Sequence, residues 1–274
     1  MAAGRATLLR TVRVHVGTSG WQYASWKRTF YPPRLPQRSW LSYYATRFAI
    51  VEVNNSFYRL PDEATFARWR DATPPGFVFA VKANRVITHL QRMRGAELAV
   101  LRFWSRAQSL GDKLGPVLFQ FPPSLRADVP RLAEFLETLP HGMRSAFEFR
   151  DRSWLRDDVL ELLDRAGAAW VLADRGGVKI STIVTGSFAY VRFHHGLPDR
   201  PGYERDVLRR WAKRIASLRV QEAFAFFNND QEVAAPGDAA TLVTLLRDQG
   251  CDVSAPPPHA WPEGPEQLHL PHFQ

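Results

Sequence analysis

Residues Phe188–Gly196 read FAYVRFHHG. Ala189, Val191 and Phe193 form one apolar set, and Tyr190, Arg192 and His194 alternate with them. A strand points two such sets to opposite faces. A face covered by helices must be apolar, so the polar set looks into an enclosed space. Seven other runs share this plan of an apolar body ending in polar residues: Val12–Trp21 (VRVHVGTSGW), Ile50–Tyr58 (IVEVNNSFY), Phe77–Asn84 (FVFAVKAN), Pro116–Ser124 (PVLFQFPPS), Ser145–Trp154 (SAFEFRDRSW), Ala169–Gly177 (AWVLADRGG) and Ala223–Asp230 (AFAFFNND). Their starts fall roughly 20–40 residues apart, the length of a strand plus a crossover helix. Eight such units predict an α/β fold, a closed (β/α)₈ TIM barrel, with the functional site at the strands' C-terminal ends.

The intervening segments carry apolar residues at spacings of three and four, as amphipathic helices do. They are Ser39–Phe48, Glu63–Ala72, Glu97–Gly111, Val129–Leu139, Leu155–Gly167, Glu204–Leu218 and Asp238–Gly250. Gly111, Gly167 and Gly250 stand where helices end. Asp128 before Val129 and Pro130 reads as a cap followed by an early helical proline. One connection departs from the plan: Asp174 to Phe188 has no helical stripe, which predicts an irregular sixth-to-seventh crossover. The reading is a single domain over 12–250, a disordered lead over 1–11 and a C-terminal extension over 251–274.

The 274 residues are 45% hydrophobic and 23% charged, ordinary for a globular chain. No apolar run approaches the ~18 residues a membrane span needs, and MAAGRATLLRTVRVHVG lacks the apolar core of a signal peptide. Cys251 is the only cysteine, which rules out an intrachain disulfide and a thiolate cluster and fits a cytoplasmic setting. The net charge of +9 draws attention to anionic partners, nucleic acid included. The basic residues are dispersed, however, as on a solvated surface. No glycine-rich dinucleotide or triphosphate loop is present, so the reading calls for no cofactor.

Strand alternation gathers a polar mouth: Glu52, Asn54, Lys82, Gln120, Glu148, Arg150, Asp174, Arg192, His194 and Asn228. Of Asn228 and Asn229, alternation favours Asn228. His15 falls low in the barrel. Unpaired charges in such a place cost several kcal/mol each, so they need partners or a ligand.

These motifs resemble the YecE-like family of TIM-barrel proteins (domain of unknown function 72). The resemblance rests, in order, on GTSGW, VEVNNSFY, FAVKA followed by ITH, LFQFPPS, FEFRDRSW, the Asp of LAD, YVRFHHG and FFNN. It implies a TIM barrel with a strand-end site, and no settled reaction. Arg175 stands where family members often have a small residue. His194 and His195 stand where the family often shows one histidine.

For chemistry, Glu52 and Glu148 are the acid/base candidates, assisted by His194. Arg150, Arg192 and Lys82 would hold a small anion, phosphorylated or sugar-like, while Asn54, Gln120 and Asn228 orient it. Asp174 completes the mouth, and His89 of the ITH segment would join from its loop. Trp21, Tyr58 and Trp154 follow strand ends and would stack on a ring. The competing chemistry is a metal held by Glu52, Glu148, Asp174 and His194, which the three neighbouring cations disfavour. Two other functions fit: a nucleic-acid binder or hydrolase using basic surface and rim aromatics, and a barrel that binds a ligand without turnover.

Overall fold

The computed structural model describes residues 11–174, 183–194 and 202–256. Eight parallel strands close on themselves: β1 (Arg13–Ser19), β2 (Ile50–Val53), β3 (Val78–Lys82), β4 (Leu114–Gln120), β5 (Ser145–Glu148), β6 (Ala169–Asp174), β7 (Phe188–Phe193) and β8 (Glu222–Phe227). Each pairs with its neighbours in chain order, and β1 closes the ring against both β8 and β2. The helices are α1 (Trp40–Tyr44), α2 (Asn55–Tyr58), α3 (Glu63–Asp71), α4 (Glu97–Ala107), α5 (Val129–Glu137), α6 (Asp157–Arg165), α7 (Arg205–Ala216) and α8 (Ala234–Asp248). The molecule is a TIM barrel.

Local signals explain several boundaries. The Asp128 carboxylate accepts the Arg131 backbone N–H at 3.2 Å and starts α5, with Pro130 in its first turn. Gly167 and Gly250 follow α6 and α8 in the left-handed region that glycine tolerates. Between β6 and β7, residues 183–187 form no helix, while Arg175 lies outside the described residues, as do His195 and most of the N-terminal lead.

The core has two parts. The larger lies between strands and helices and takes the outward residues, such as Val14, Val51, Phe119, Phe147, Val191 and Phe227. The smaller fills the barrel itself with Ile50, Ala80, Leu118, Ala146, Val171, Tyr190, Phe224 and Phe226. Space is tightest where β1 meets β2: a Cβ on Gly17 would lie 2.3 Å from the Ile50 carbonyl oxygen. Any side chain there would push the two strands apart.

One expectation needs correction. Val171 and Ala173 line the barrel interior, with the bulkier Trp170 and Leu172 outside, so Asp174 points outward. The C-terminal extension starts against the barrel, at residues 252–253. They form β9 (Asp252–Val253), parallel to the start of β1. β8 occupies the other edge of β1, so β9 fills the seam below the short β1–β2 contact. The remainder of the extension, 257–274, lies outside the described residues.

Candidate functional site

Arg192 organises the upper end of the barrel. Its inward position on β7 puts the guanidinium among β2, β4 and β5. Nε and Nη2 donate to the two Glu52 oxygens at 3.0 and 2.7 Å, and Nη1 donates to Glu148 Oε2 at 2.6 Å. All three side chains are at most 1% exposed. The Tyr190 hydroxyl, one interior position lower on β7, donates to Glu52 Oε2 at 2.7 Å. Burial alone would raise the Glu52 pKa, but Arg192 and Tyr190 hold it below the ordinary carboxylate value. Glu52 is thus a fixed counter-charge with both oxygens occupied and no route to a substrate. Arg192, with donors committed to two carboxylates, is likewise unavailable to an anion. Glu52 and Glu148 flank Arg192, not a substrate.

Glu148 connects this buried layer to the groups above it. Gln120 Nε2 donates to its Oε2 at 3.0 Å, and Lys82 Nζ donates to Gln120 Oε1 at 2.8 Å. Its other oxygen lies 3.3 Å from His194 Nε2 and 3.7 Å from Arg150 Nε. On the far side of the imidazole, His194 Nδ1 lies 3.3 Å from Asn228 Nδ2. Asn228 Oδ1 accepts from Asn54 Nδ2, also at 3.3 Å. Arg192 Nη1 lies 3.4 Å from His194 Nε2 as well, so Glu148 and Arg192 compete for this nitrogen. Burial lowers the His194 pKa, only partly opposed by Glu148, so the neutral form prevails at neutral pH. These contacts are long, as in active sites that tighten once substrate arrives.

Lys82 forms one wall. Burial, then the Arg192 charge, brings its pKa down to about 8. Its ammonium lies 4.3 Å from the centre of the Phe57 ring, and His89 meets the other side of this wall with its ring edge-on to Phe57 at 4.9 Å. Lys82 has no carboxylate within ion-pair distance among the described residues. His89 sits on a single π turn, Val86–Leu90, closed by Gln91 N–H donating to Val86 at 2.8 Å. Such turns are frequent at functional sites. Burial lowers the His89 pKa, and Lys82, Arg150, Arg85 and Arg92 lower it further. Four cations therefore act on one point of the rim.

Other expected members lie elsewhere. Asp174 accepts from the Trp211 indole of α7 at 3.0 Å, outside the barrel. With Asp174 turned away and Glu52 held by Arg192, the four proposed metal ligands do not converge. Trp154 is fully buried, stacked on Phe149 at 4.1 Å, its indole donating to the Leu125 carbonyl. Trp21 is buried edge-on to Trp69. Neither can stack on a ligand. Tyr58 is 74% exposed and its ring meets Phe57 edge-on.

Phe57, one of the aromatics that follow the strand ends, enters the site, and Asp230 lies in the site region without having been singled out. Asp230, just past β8, accepts from the Trp26 indole at 2.5 Å, and burial raises its pKa to about 6. It ends the FFNND run, so its strand-end position was a legible signal.

A family model described as "Protein of unknown function DUF72" matches residues 15–262. The UPF0759 protein YunF of Bacillus subtilis (strain 168) is 27% identical, over 85% of this chain and 94% of its own. Among solved structures, a DUF72 family protein of Thermotoga maritima MSB8 is 30% identical with a TM-score of 0.77, covering 86% of this chain and 99% of the other. A DUF72 family protein of Enterococcus faecalis V583 is 20% identical, with a TM-score of 0.73 over 85% and 95% of the two chains. That likeness is one of fold. The first match spans nearly the whole barrel, from the first strand past the ninth. The chain belongs to the DUF72 family.

Proposed function

We propose that this protein is a cytoplasmic enzyme performing acid/base chemistry on a small anionic substrate, phosphorylated or sugar-like, at the mouth of the barrel. One observation carries the reading: the His194 imidazole lies 3.3 Å from Glu148 in a mouth where Lys82 and Arg150 supply positive charge. Glu148 orients the imidazole and stabilises its protonated form. His194 exchanges the proton. Lys82, with Arg150 at 40% exposure, holds the anion. Asn54 and Asn228 offer amide groups that rearrange at small cost because their present bonds are long. Hydrolysis, lyase and isomerase reactions all use this set.

The test is a thermal-shift and turnover panel of sugar phosphates and related metabolites on the wild type, Lys82→Met and His194→Gln. A ligand at 100 times its Kd adds about 2.7 kcal/mol, a rise of several degrees at this size. The expected result is a shift lost in Lys82→Met, with turnover but not binding lost in His194→Gln. A shift that survives Lys82→Met overturns the site. Binding without turnover of any bound metabolite makes the protein a ligand-binding barrel instead.

A second reading, nucleic-acid binding or hydrolysis, draws on Tyr58, exposed beside Phe57, and on exposed Arg85 and Arg92 near His89. Its signature is oligonucleotide binding that weakens steeply with salt.

A further inference from the structure

On the opposite side of β1 from the barrel interior lies a second cavity, of about 550 Å³. Small-molecule sites occupy roughly 300–1,000 Å³. It lies between the five-residue α1, which contributes Tyr43, and the fifteen-residue α8. Its floor is apolar: Val16 of β1, Phe30, Phe48 and Val243 of α8. Pro236, Ala240, Val243, Thr244 and Arg247, all on one stripe of α8, form a wall.

The rim is cationic. Arg28, Arg47 and Arg247 all border the cavity. None has a carboxylate within ion-pair distance among the described residues. Arg47 is instead stacked on Tyr43 at 5.4 Å, with Nη2 donating to its hydroxyl at 3.3 Å, which fixes the guanidinium at the edge. Ser254 also borders the cavity, and its buried hydroxyl has no partner among the described residues. Such unmatched groups are rare in native interiors and point to something unaccounted for.

We propose that this cavity binds a small amphipathic carboxylate, an acyl or aryl acid. The apolar part lies on Phe30, Phe48 and Val243, and the carboxylate meets the arginine rim. An apolar floor with a few placed polar groups is how such sites combine affinity with orientation, and guanidinium takes a carboxylate through paired hydrogen bonds. The site is separate from the barrel mouth: the closing strand β1 stands between them, Val16 on one face and the barrel interior on the other.

The experiment is calorimetric titration of the full chain with octanoate, and with octan-1-ol as its uncharged counterpart. The wild type takes up one octanoate, and octanol binds about tenfold more weakly or not at all. The double variant Arg47→Ala/Arg247→Ala weakens octanoate by about tenfold or more. Ala240→Trp, which fills the cavity, abolishes binding, whereas Arg150→Ala at the barrel mouth leaves it unchanged. Thr244→Trp, at the exposed edge, repeats the filling arm if Ala240→Trp loses its cooperative melt. The proposal is overturned by absence of octanoate binding, by octanol binding equally well, or by undiminished binding in both filled variants.

Discussion

At the lower end of the barrel Arg144 donates to Glu222 Oε2 at 2.6 Å, and His15 meets the other oxygen at 2.7 Å. At the upper end Arg192 joins Glu52 and Glu148. Both ends thus hold a small ionic group, part-exposed below and fully buried above, and their surroundings differ too. Below, Arg144 covers the Phe188 and Phe224 rings and His15 stacks on Phe224 at 4.9 Å. The charges cancel, and the residues above are aromatic. Above, one arginine faces two carboxylates, and their excess charge is answered by Lys82 and Arg150 farther up. The lower group closes the barrel by itself; the upper is the base of a layered set whose outer members reach solvent. In characterised TIM-barrel enzymes the lower face serves stability and the upper face carries the active site.

Three measurements break or sharpen this contrast. The largest effect belongs to Arg192→Ala, which strands two buried carboxylates and costs about 3–5 kcal/mol, or a Tm fall of roughly 6–20 °C. Arg144→Ala costs less, about 1–2 kcal/mol, because Glu222 is 27% exposed and retains His15. Equal losses in thermal melts would erase the distinction between a sealed core and a plug.

Next comes Lys82, whose folded pKa of about 8 lies below its ordinary 10.5. The unfolded chain holds that proton more tightly, so wild-type stability rises with pH from about 8 to 10.5. Lys82→Met therefore melts higher than wild type below pH 8, and the gap narrows above it. Binding of an anion follows the opposite course, weakening as pH rises through 8. A Lys82→Met variant that melts lower at pH 7 would make this lysine scaffolding like Lys113, whose ammonium donates to the Arg70 and Thr73 carbonyls.

The smallest effect is at the lower end in acid. Burial opposes the Glu222 charge, but the His15 hydrogen bond and Arg144 bring its pKa from 4.5 to about 2. Its contribution is complete above pH 4.5 and disappears as pH falls toward 2. Glu222→Gln should flatten that part of a stability–pH curve. An unchanged acid limb would place the acid sensitivity at the upper carboxylates.

The barrel was legible because eight alternating runs each carried their own face assignment. Alternation also put Glu148, Lys82, Gln120, Arg192 and His194 in one enclosure. It failed at β6, where both faces are apolar and polarity carries no information. There size was the useful signal: Ala169, Val171 and Ala173 suit the narrow interior, while Trp170 and Leu172 need the helix layer. The division of labour among the charges was not legible either. Glu52 and Arg192 are 140 residues apart, and no local pattern says which cation takes which carboxylate. Trp21 and Trp154 follow strand ends as rim aromatics do, but their indoles fold back beneath the loops. Sequence position alone does not separate the two outcomes.

The ninth strand sets a condition on synthesis. Ser254 N–H donates to the Val14 carbonyl at 2.9 Å, so the first and last described segments of the chain share one stretch of backbone pairing. A chain emerging N-terminus first presents β1 before the other barrel strands, with its lower edge bare until about 240 residues later. During that interval the edge is an unpaired template of the kind that invites wrong partners. Completion of the seam is a long-range event that comes late and slows folding. The barrel is in this sense clasped, not merely curled, and its clasp is made only after all eight barrel strands.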